Sequence, residues 1–107
     1  MLLCAVALAG CVSIEQAAPP VIMLGQQASS TSKRAMLEQG RLIYITRCAK
    51  CHSVEPVSRY SRLRWDTILP KMADKTKLSA ADEEAVHLYV LTVLDQQASM
   101  KLRSHAE

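Results

Sequence analysis

Three side chains with reactive or metal-binding chemistry stand close together in the chain: Cys48, Cys51 and His52. The spacing CxxCH is the attachment signature of haem c. Its two thiols can add across two porphyrin vinyl groups, because the two-residue spacer puts both sulfurs on one short helical turn. The adjacent imidazole is then held against the iron. We therefore predict one covalent haem c, with these three residues binding the cofactor.

Two other chemistries of a Cys pair remain open. A closed zinc site needs about four ligands, and beyond His52 the chain offers His87 and His105 but no second Cys pair for this role. A thioredoxin-like dithiol would stand in a βαβ context, whereas the sequence around Cys48 has a helical pattern. Haem attachment fits the five residues better than either alternative.

The length and composition bound the rest of the interpretation. The chain has 107 residues, of which 50% are hydrophobic and 21% charged, so a single globular domain is expected. Its net charge is +3, but aromatic residues are not interleaved with the basic ones, so the sequence does not indicate nucleic-acid binding. No catalytic constellation is visible, and we do not predict an enzyme.

Residues 1–10 form an uncharged apolar run that is too short to span a bilayer as a helix. We interpret this run as an export signal. The sequence Leu8-Ala9-Gly10-Cys11 looks like a bacterial lipobox, so Cys11 is predicted to be lipidated as the first residue of the mature chain. The basic residues that usually precede such a run are missing, and a generic signal with a chance Cys is the alternative. The predicted location is periplasm-facing, lipid-anchored to a bacterial membrane.

Residues 11–32 are rich in Ala, Gln and Ser and contain Pro19-Pro20. This composition predicts a lipid-anchored flexible tether, which would span roughly 25 Å by random-coil scaling. Residues 21–24 interrupt it with an apolar stretch. Whether that stretch docks on the domain or lies near the membrane is open at this level.

A first helix is predicted over 33–48, because Leu37, Ile43 and Tyr44 recur at helical spacing. Gly40 would cost about 1 kcal/mol relative to Ala inside this helix. A packing reason is therefore expected at Gly40, namely the close approach of another helix backbone.

A last helix is predicted to begin at Ser79, whose side chain can cap the first-turn amides. Asp82 and its acidic neighbours suit the positive end of the helix dipole. The wide apolar face that follows extends the helix to about Gln97, and 98–107 is predicted to be a polar tail.

Between these helices, Trp65, Leu69 and Met72 fall on one face of a further helical segment. If Thr67 caps it, Pro70 falls in the first turn, where no amide hydrogen is needed. No alternating strand pattern appears. We predict an all-α domain over 33–97, with about three helices packed around one haem.

From about residue 35 to 94 the chain resembles the small monohaem class I cytochrome c family. The resemblance depends on Gly40 and Tyr44, on the CxxCH run, on the segment from Trp65 to Met72, and on Leu78-Ser79 leading to Leu88-Tyr89-Val90-Leu91. It implies a haem held by His and Met, an electron-carrier role, and a helix crossing that pairs Gly40 and Tyr44 with Leu88 and Tyr89. The chain departs from many members in its short spacing, because Met72 follows His52 by 20 residues.

His52 is the predicted proximal iron ligand and Met72 the predicted distal one. A thioether ligand raises the reduction potential relative to harder ligands, whereas the alternative role for Met72 is filling the core. Trp65 is assigned either to core packing or to the haem edge. His87 is expected on the helix surface near Glu83 rather than on the iron.

The predicted function is one-electron transfer between periplasmic or membrane redox partners, either as a separate carrier or within a dehydrogenase or oxidase complex. The alternative is a haem-based sensor or small-ligand-binding module with a labile or absent sixth ligand. A basic rim near the haem edge would steer an acidic partner; a solvated loop is the other interpretation of the same charges. The rim would consist of Arg41, Arg47, Lys50, Arg59, Arg62 and Arg64.

Overall fold

The computed structural model describes residues 13–48 and 54–106, and every regular element in these two ranges is helical. Two 3₁₀ segments, Val21–Ala28 and Val57–Arg59, accompany the α-helices. The α-helices are α1 (Ile14–Ala17), α2 (Thr31–Thr46), α3 (Arg62–Thr76) and α4 (Ala80–Ala106). The all-α prediction is therefore confirmed for the described part of the chain. That the helices surround a haem stays a prediction.

Helices α2 and α4 cross at Gly40, where their backbones come into contact. A Cβ atom built on Gly40 would lie 2.7 Å from the Ala85 carbonyl carbon and 2.8 Å from the Tyr89 Cβ atom. Both separations are shorter than real Cβ contacts, so a side chain at this position would force the helices apart. The predicted close approach is confirmed, and Ala85 takes the place expected for Leu88.

A cluster of three aromatic side chains, Tyr44, Trp65 and Tyr89, lies in the core. The ring centroids of Tyr44 and Tyr89 are 6.1 Å apart, and those of Tyr44 and Trp65 are 6.0 Å apart. Such tilted and edge-to-face pairs add to the gain from burying the rings. Apolar side chains from both 3₁₀ segments and from α2, α3 and α4 complete this core: Val21, Leu24, Leu37, Ile43, Val57, Leu69, Val86, Val90 and Val93.

The N-terminal segment belongs to this core, which corrects the prediction of a flexible tether for residues 13–32. Val21 and Leu24 are each 1% exposed. The Tyr89 hydroxyl donates to the Pro19 carbonyl at 2.7 Å, and Arg41 Nε donates to the Ala18 carbonyl at 3.1 Å. Burial of Val21 and Leu24 and these two hydrogen bonds outweigh the polar composition. Docking on the domain, one of the two open possibilities for this stretch, is observed for Val21 and Leu24, whereas Ile22 and Met23 are exposed.

Helix α3 begins earlier than predicted. Ser61 caps it by accepting the Arg64 backbone N–H at 3.2 Å, so Pro70 lies inside the helix and Thr67 is not the cap. This start lets Trp65, Leu69 and Ala73 bury one continuous face. Pro70 leaves the Asp66 carbonyl without its helical donor, and both residues are exposed, so water can take the place of the missing amide.

Helix α4 has the predicted cap but ends later than predicted. The Asp82 backbone N–H donates to Ser79 Oγ at 3.2 Å, which confirms the start. The helix continues to Ala106 rather than ending near Gln97. Residues 98–106 contain no Gly or Pro and several strong helix formers. The predicted polar tail is thus an exposed extension of α4.

Candidate functional site

The predicted cofactor site begins where α2 ends. Cys48 follows the last turn, with its backbone N–H donating to the Ile43 carbonyl at 3.1 Å and 6% of its surface exposed. Cys51 and His52 lie outside the described residues, as does Cys11. Their roles as haem-attachment residue, proximal ligand and lipidation site stay predictions.

Burial raises the pKa of the Cys48 thiol above its ordinary value, and the neighbouring Arg47 guanidinium lowers it by a smaller amount. The thiol is therefore neutral near pH 7 in this structure. In a reactive dithiol the nucleophilic Cys needs a depressed pKa. Cys48 would therefore not be the nucleophile of a thioredoxin-like pair.

A buried hydroxyl joins the part of the chain before residues 49–53 to the part after them. Tyr44, on the last turns of α2, donates its hydroxyl hydrogen to the Glu55 carbonyl, which lies just beyond that segment. Burial, together with the neighbouring Tyr89, raises the pKa of Tyr44 above its ordinary value. Tyr44 therefore stays protonated and keeps its hydrogen for this bond.

Arg47 joins the end of α2 to the end of α3. Its Nη2 atom donates to the Thr76 carbonyl at 2.7 Å, and Thr76 Oγ1 donates to the Met72 carbonyl at 2.7 Å. The last turn of α3 is thereby connected by two successive hydrogen bonds to the residue before Cys48. Met72 itself is half-buried and packs against the core. The fold thus joins the last turn of α3, which follows the predicted distal ligand, to the side chain of the residue before the CxxCH motif.

Trp65 is part of the core. Its indole Nε1 donates to the Val57 carbonyl at 2.9 Å, and 1% of the residue is exposed. Tyr60 packs against the same indole edge-to-face, with centroids 5.3 Å apart. Because its one donor hydrogen is used within the protein, Trp65 cannot also donate it to a haem propionate in this arrangement. Core packing is the role that these contacts support.

His87 lies on the surface of α4, as expected. Its ring faces Asp66 of α3, and Glu83 lines the same cleft. Its Nε2 atom is 3.3 Å from Asp66 Oδ1, beside a cleft of about 480 Å³ that Glu83 and Glu84 also line. Within residues 13–48 and 54–106, no group of three or more His, Cys, Asp or Glu side chains is arranged to hold a metal ion.

The arginines of the predicted basic rim are largely engaged within the protein. Arg41 and Arg47 donate to backbone carbonyls that are 23 and 29 residues away in sequence. Arg59 lies 3.4 Å from Glu55 and Arg62 lies 3.3 Å from Asp95. These contacts favour the interpretation of a solvated, internally paired surface. The structural roles of Arg41 and Arg47 have no sequence signal, because a carbonyl acceptor can belong to any residue type.

Comparison with protein-family models, with curated proteins and with solved structures found no match. In the part of the chain that the structure describes, no helix is both long enough and apolar enough to cross a membrane. The chain is therefore described by its helical fold, and its function is argued from the site.

Proposed function

We propose that this chain is a monohaem c-type cytochrome that carries one electron at a time, anchored by lipid at Cys11 and facing the periplasm. Haem c, when bound, supplies the reversible Fe(III)/Fe(II) couple. Cys48 and Cys51 would hold it covalently, while His52 and Met72 would be its axial ligands. Its partners are other redox proteins, encountered in solution or within a dehydrogenase or oxidase complex.

The observation that carries the proposal is the connection between Arg47 and Thr76. CxxCH is the most specific motif of the sequence, and a His/Met site also needs a thioether close to it. The hydrogen bonds from Arg47 to Thr76 and from Thr76 to Met72 join the turn that bears this thioether to the side chain of Arg47, the residue before the first Cys. Met72 is half-buried at the edge of the core.

The residues around the site fit an apolar cofactor in a further respect. Cys48 is buried and uncharged beside the apolar side chains of the core, including Ile43 and Val57. The hydrogen bond from Tyr44 to Glu55 joins the residues before and after the attachment segment, so the haem-binding loop would start and end at fixed points of the fold. Excluding water on this side would favour the reduced iron, because lower polarity disfavours the higher positive charge.

Covalent attachment is the direct test. We expect the chain, produced in a bacterium that has a cytochrome c maturation system, to carry one haem that stays bound on a denaturing gel. The double variant Cys48→Ala/Cys51→Ala should lose this haem completely, because both thioether bonds are removed. Cys4→Ala is the matched control and should keep it. A native chain that carries zinc or no haem would contradict the proposal.

Met72→Leu separates an iron ligand from a core residue. Leucine has a similar volume, so the free energy of unfolding should fall by less than about 1.5 kcal/mol. If the thioether binds iron, the variant should lose the sulfur-to-iron charge-transfer band at the red edge of the visible spectrum, bind carbon monoxide rapidly and have a lower reduction potential.

Met100→Leu is the control for this substitution, since Met100 is 58% exposed on α4. It should leave the spectrum and the potential unchanged. Rapid carbon monoxide binding by the native reduced protein would instead favour the sensor or small-ligand-binding alternative. An unchanged band in Met72→Leu would show that another residue is the sixth ligand.

A further inference from the structure

The first helix that the structure describes begins very close in sequence to the proposed lipid anchor. Ser13 and Gln16 form a capping box at the start of α1: Ser13 Oγ accepts the Gln16 backbone N–H at 3.2 Å, and the Ser13 backbone N–H donates to Gln16 Oε1 at 3.3 Å. The next residues pack at once, because Ala17 and Ala18 are at most 1% exposed. Cys11 is separated from Ser13 by a single residue, so their Cα atoms are within about 7 Å of each other.

A largely apolar groove lies on the same side of the molecule, between the N-terminal segment and α4. Its volume is about 620 Å³. Met23 on one wall is 66% exposed and Met100 on the other is 58% exposed. Beside Met23, Ile22 is 73% exposed, which makes this the most apolar exposed stretch of the N-terminal segment. The groove is lined by Glu15, Gln16, Pro19, Pro20, Met23, Leu24, Val93, Gln96, Gln97 and Met100.

Two cations lie beyond the groove on α4. Lys101 and Arg103 follow Met100 and are exposed, and the acidic residues that flank this stretch in the sequence are Asp95 and Glu107. Glu15 is the one acidic side chain on the groove wall. Exposed apolar side chains followed by Lys and Arg are the pattern of a surface that lies in a membrane interface, where the cations meet lipid phosphates.

We propose that this groove rests on the bilayer that holds the lipid at Cys11, with Met23 and Met100 in the interfacial layer. The proposal deepens the proposed function and rests on acylation of Cys11. Chain geometry selects the occupant: a lipid bound within about 7 Å of Ser13 leaves no length for the domain to move away from the membrane. The domain is thus seated on the membrane in one orientation instead of hanging from a tether.

Thiol labelling of the acylated, haem-loaded protein in vesicles tests this seating. Met23→Cys and Met100→Cys each introduce one reactive thiol, because the native cysteines of the mature chain are acylated or bound to haem. A membrane-impermeant maleimide should label both slowly in vesicles of phosphatidylethanolamine and phosphatidylglycerol. Leu63→Cys, at a site that is 80% exposed on α3, is the control and should keep its fast rate.

Each other occupant of the groove gives a different outcome. Equal labelling rates at all three sites in vesicles would show that the groove faces water and would overturn the proposal. Slow labelling of the same sites in a non-acylated mature chain that carries Cys11→Ser, without vesicles, would show that a second copy or the chain itself covers the groove, which also overturns the proposal.

A second measurement separates failure of the anchor from failure of the seating. Mass spectrometry of the mature N-terminus reports acylation of Cys11 directly. The non-acylated mature chain should still sediment with anionic vesicles, and Met23→Glu/Met100→Glu should weaken this partitioning about tenfold, whereas Leu63→Glu should not. No binding by the non-acylated chain would overturn the seating even where Cys11 is acylated.

Discussion

Gly40→Ala is expected to lower the free energy of unfolding by roughly 3 kcal/mol, at the upper end of the range for overpacking. In an isolated helix the same change would stabilise by about 1 kcal/mol. The sign reverses because the new methyl group would lie 2.7 Å from the Ala85 carbonyl carbon and 2.8 Å from the Tyr89 Cβ atom. These atoms belong to the backbone and the first side-chain carbon of α4, so no rotamer change can relieve the contact.

Denaturant unfolding of the purified protein measures this effect, and Gln39→Ala is the matched control. Gln39 is on the exposed side of the same helix, so its replacement should change stability by no more than about 0.5 kcal/mol. A Gly40→Ala protein as stable as the native one would mean that α2 and α4 do not cross at this residue.

Trp65→Ala should cost about 3–5 kcal/mol, because it removes the largest fully buried side chain and leaves a cavity beside Tyr44 and Tyr60. Trp65→Phe keeps much of the ring but leaves the Val57 carbonyl without its donor, at a cost of about 1–3 kcal/mol. The expected order of stability is therefore native, then Phe, then Ala. Chemical denaturation of the three proteins gives this order.

The two roles considered for Trp65 differ in what these variants change. If it packs the core, stability falls while the reduction potential of the folded protein shifts little. If it served the haem edge, Trp65→Phe would shift the potential and leave stability nearly unchanged. Leu63→Ala, at a site that is 80% exposed, is the control and should alter neither quantity.

Much of the helical architecture can be predicted from local sequence. Ser79 caps α4, and Trp65 and Leu69 lie on the buried face of α3, because capping and helical periodicity depend on residues within a few positions. The reason for Gly40 could also be predicted, since a glycine on a buried helical face indicates close backbone approach. Its partner Ala85 could not, because that depends on how far each helix slides along the other.

The errors arise where a local preference competes with burial of distant residues. Pro70 favours a helix start near Thr67, yet an earlier start at Ser61 buries Trp65, Leu69 and Ala73 together. The composition of 13–32 is typical of a linker, yet Val21 and Leu24 fit against α2 and α4. In both cases the free energy gained by burying apolar surface in the tertiary structure exceeds the free energy cost of the unfavourable local conformation.

The sequence by itself determined the helical class, the cap at Ser79 and the motif Cys48–Cys51–His52, because each depends on residue types at short, regular spacing. Haem attachment, ligation by Met72 and lipidation of Cys11 stay predictions with the tests given above. Tertiary structure alone decided that the Arg47 side chain binds the Thr76 carbonyl at the end of α3, and that the N-terminal segment is packed instead of flexible. Both depend on contacts between residues far apart in the chain, whose geometry is set by how the helices pack.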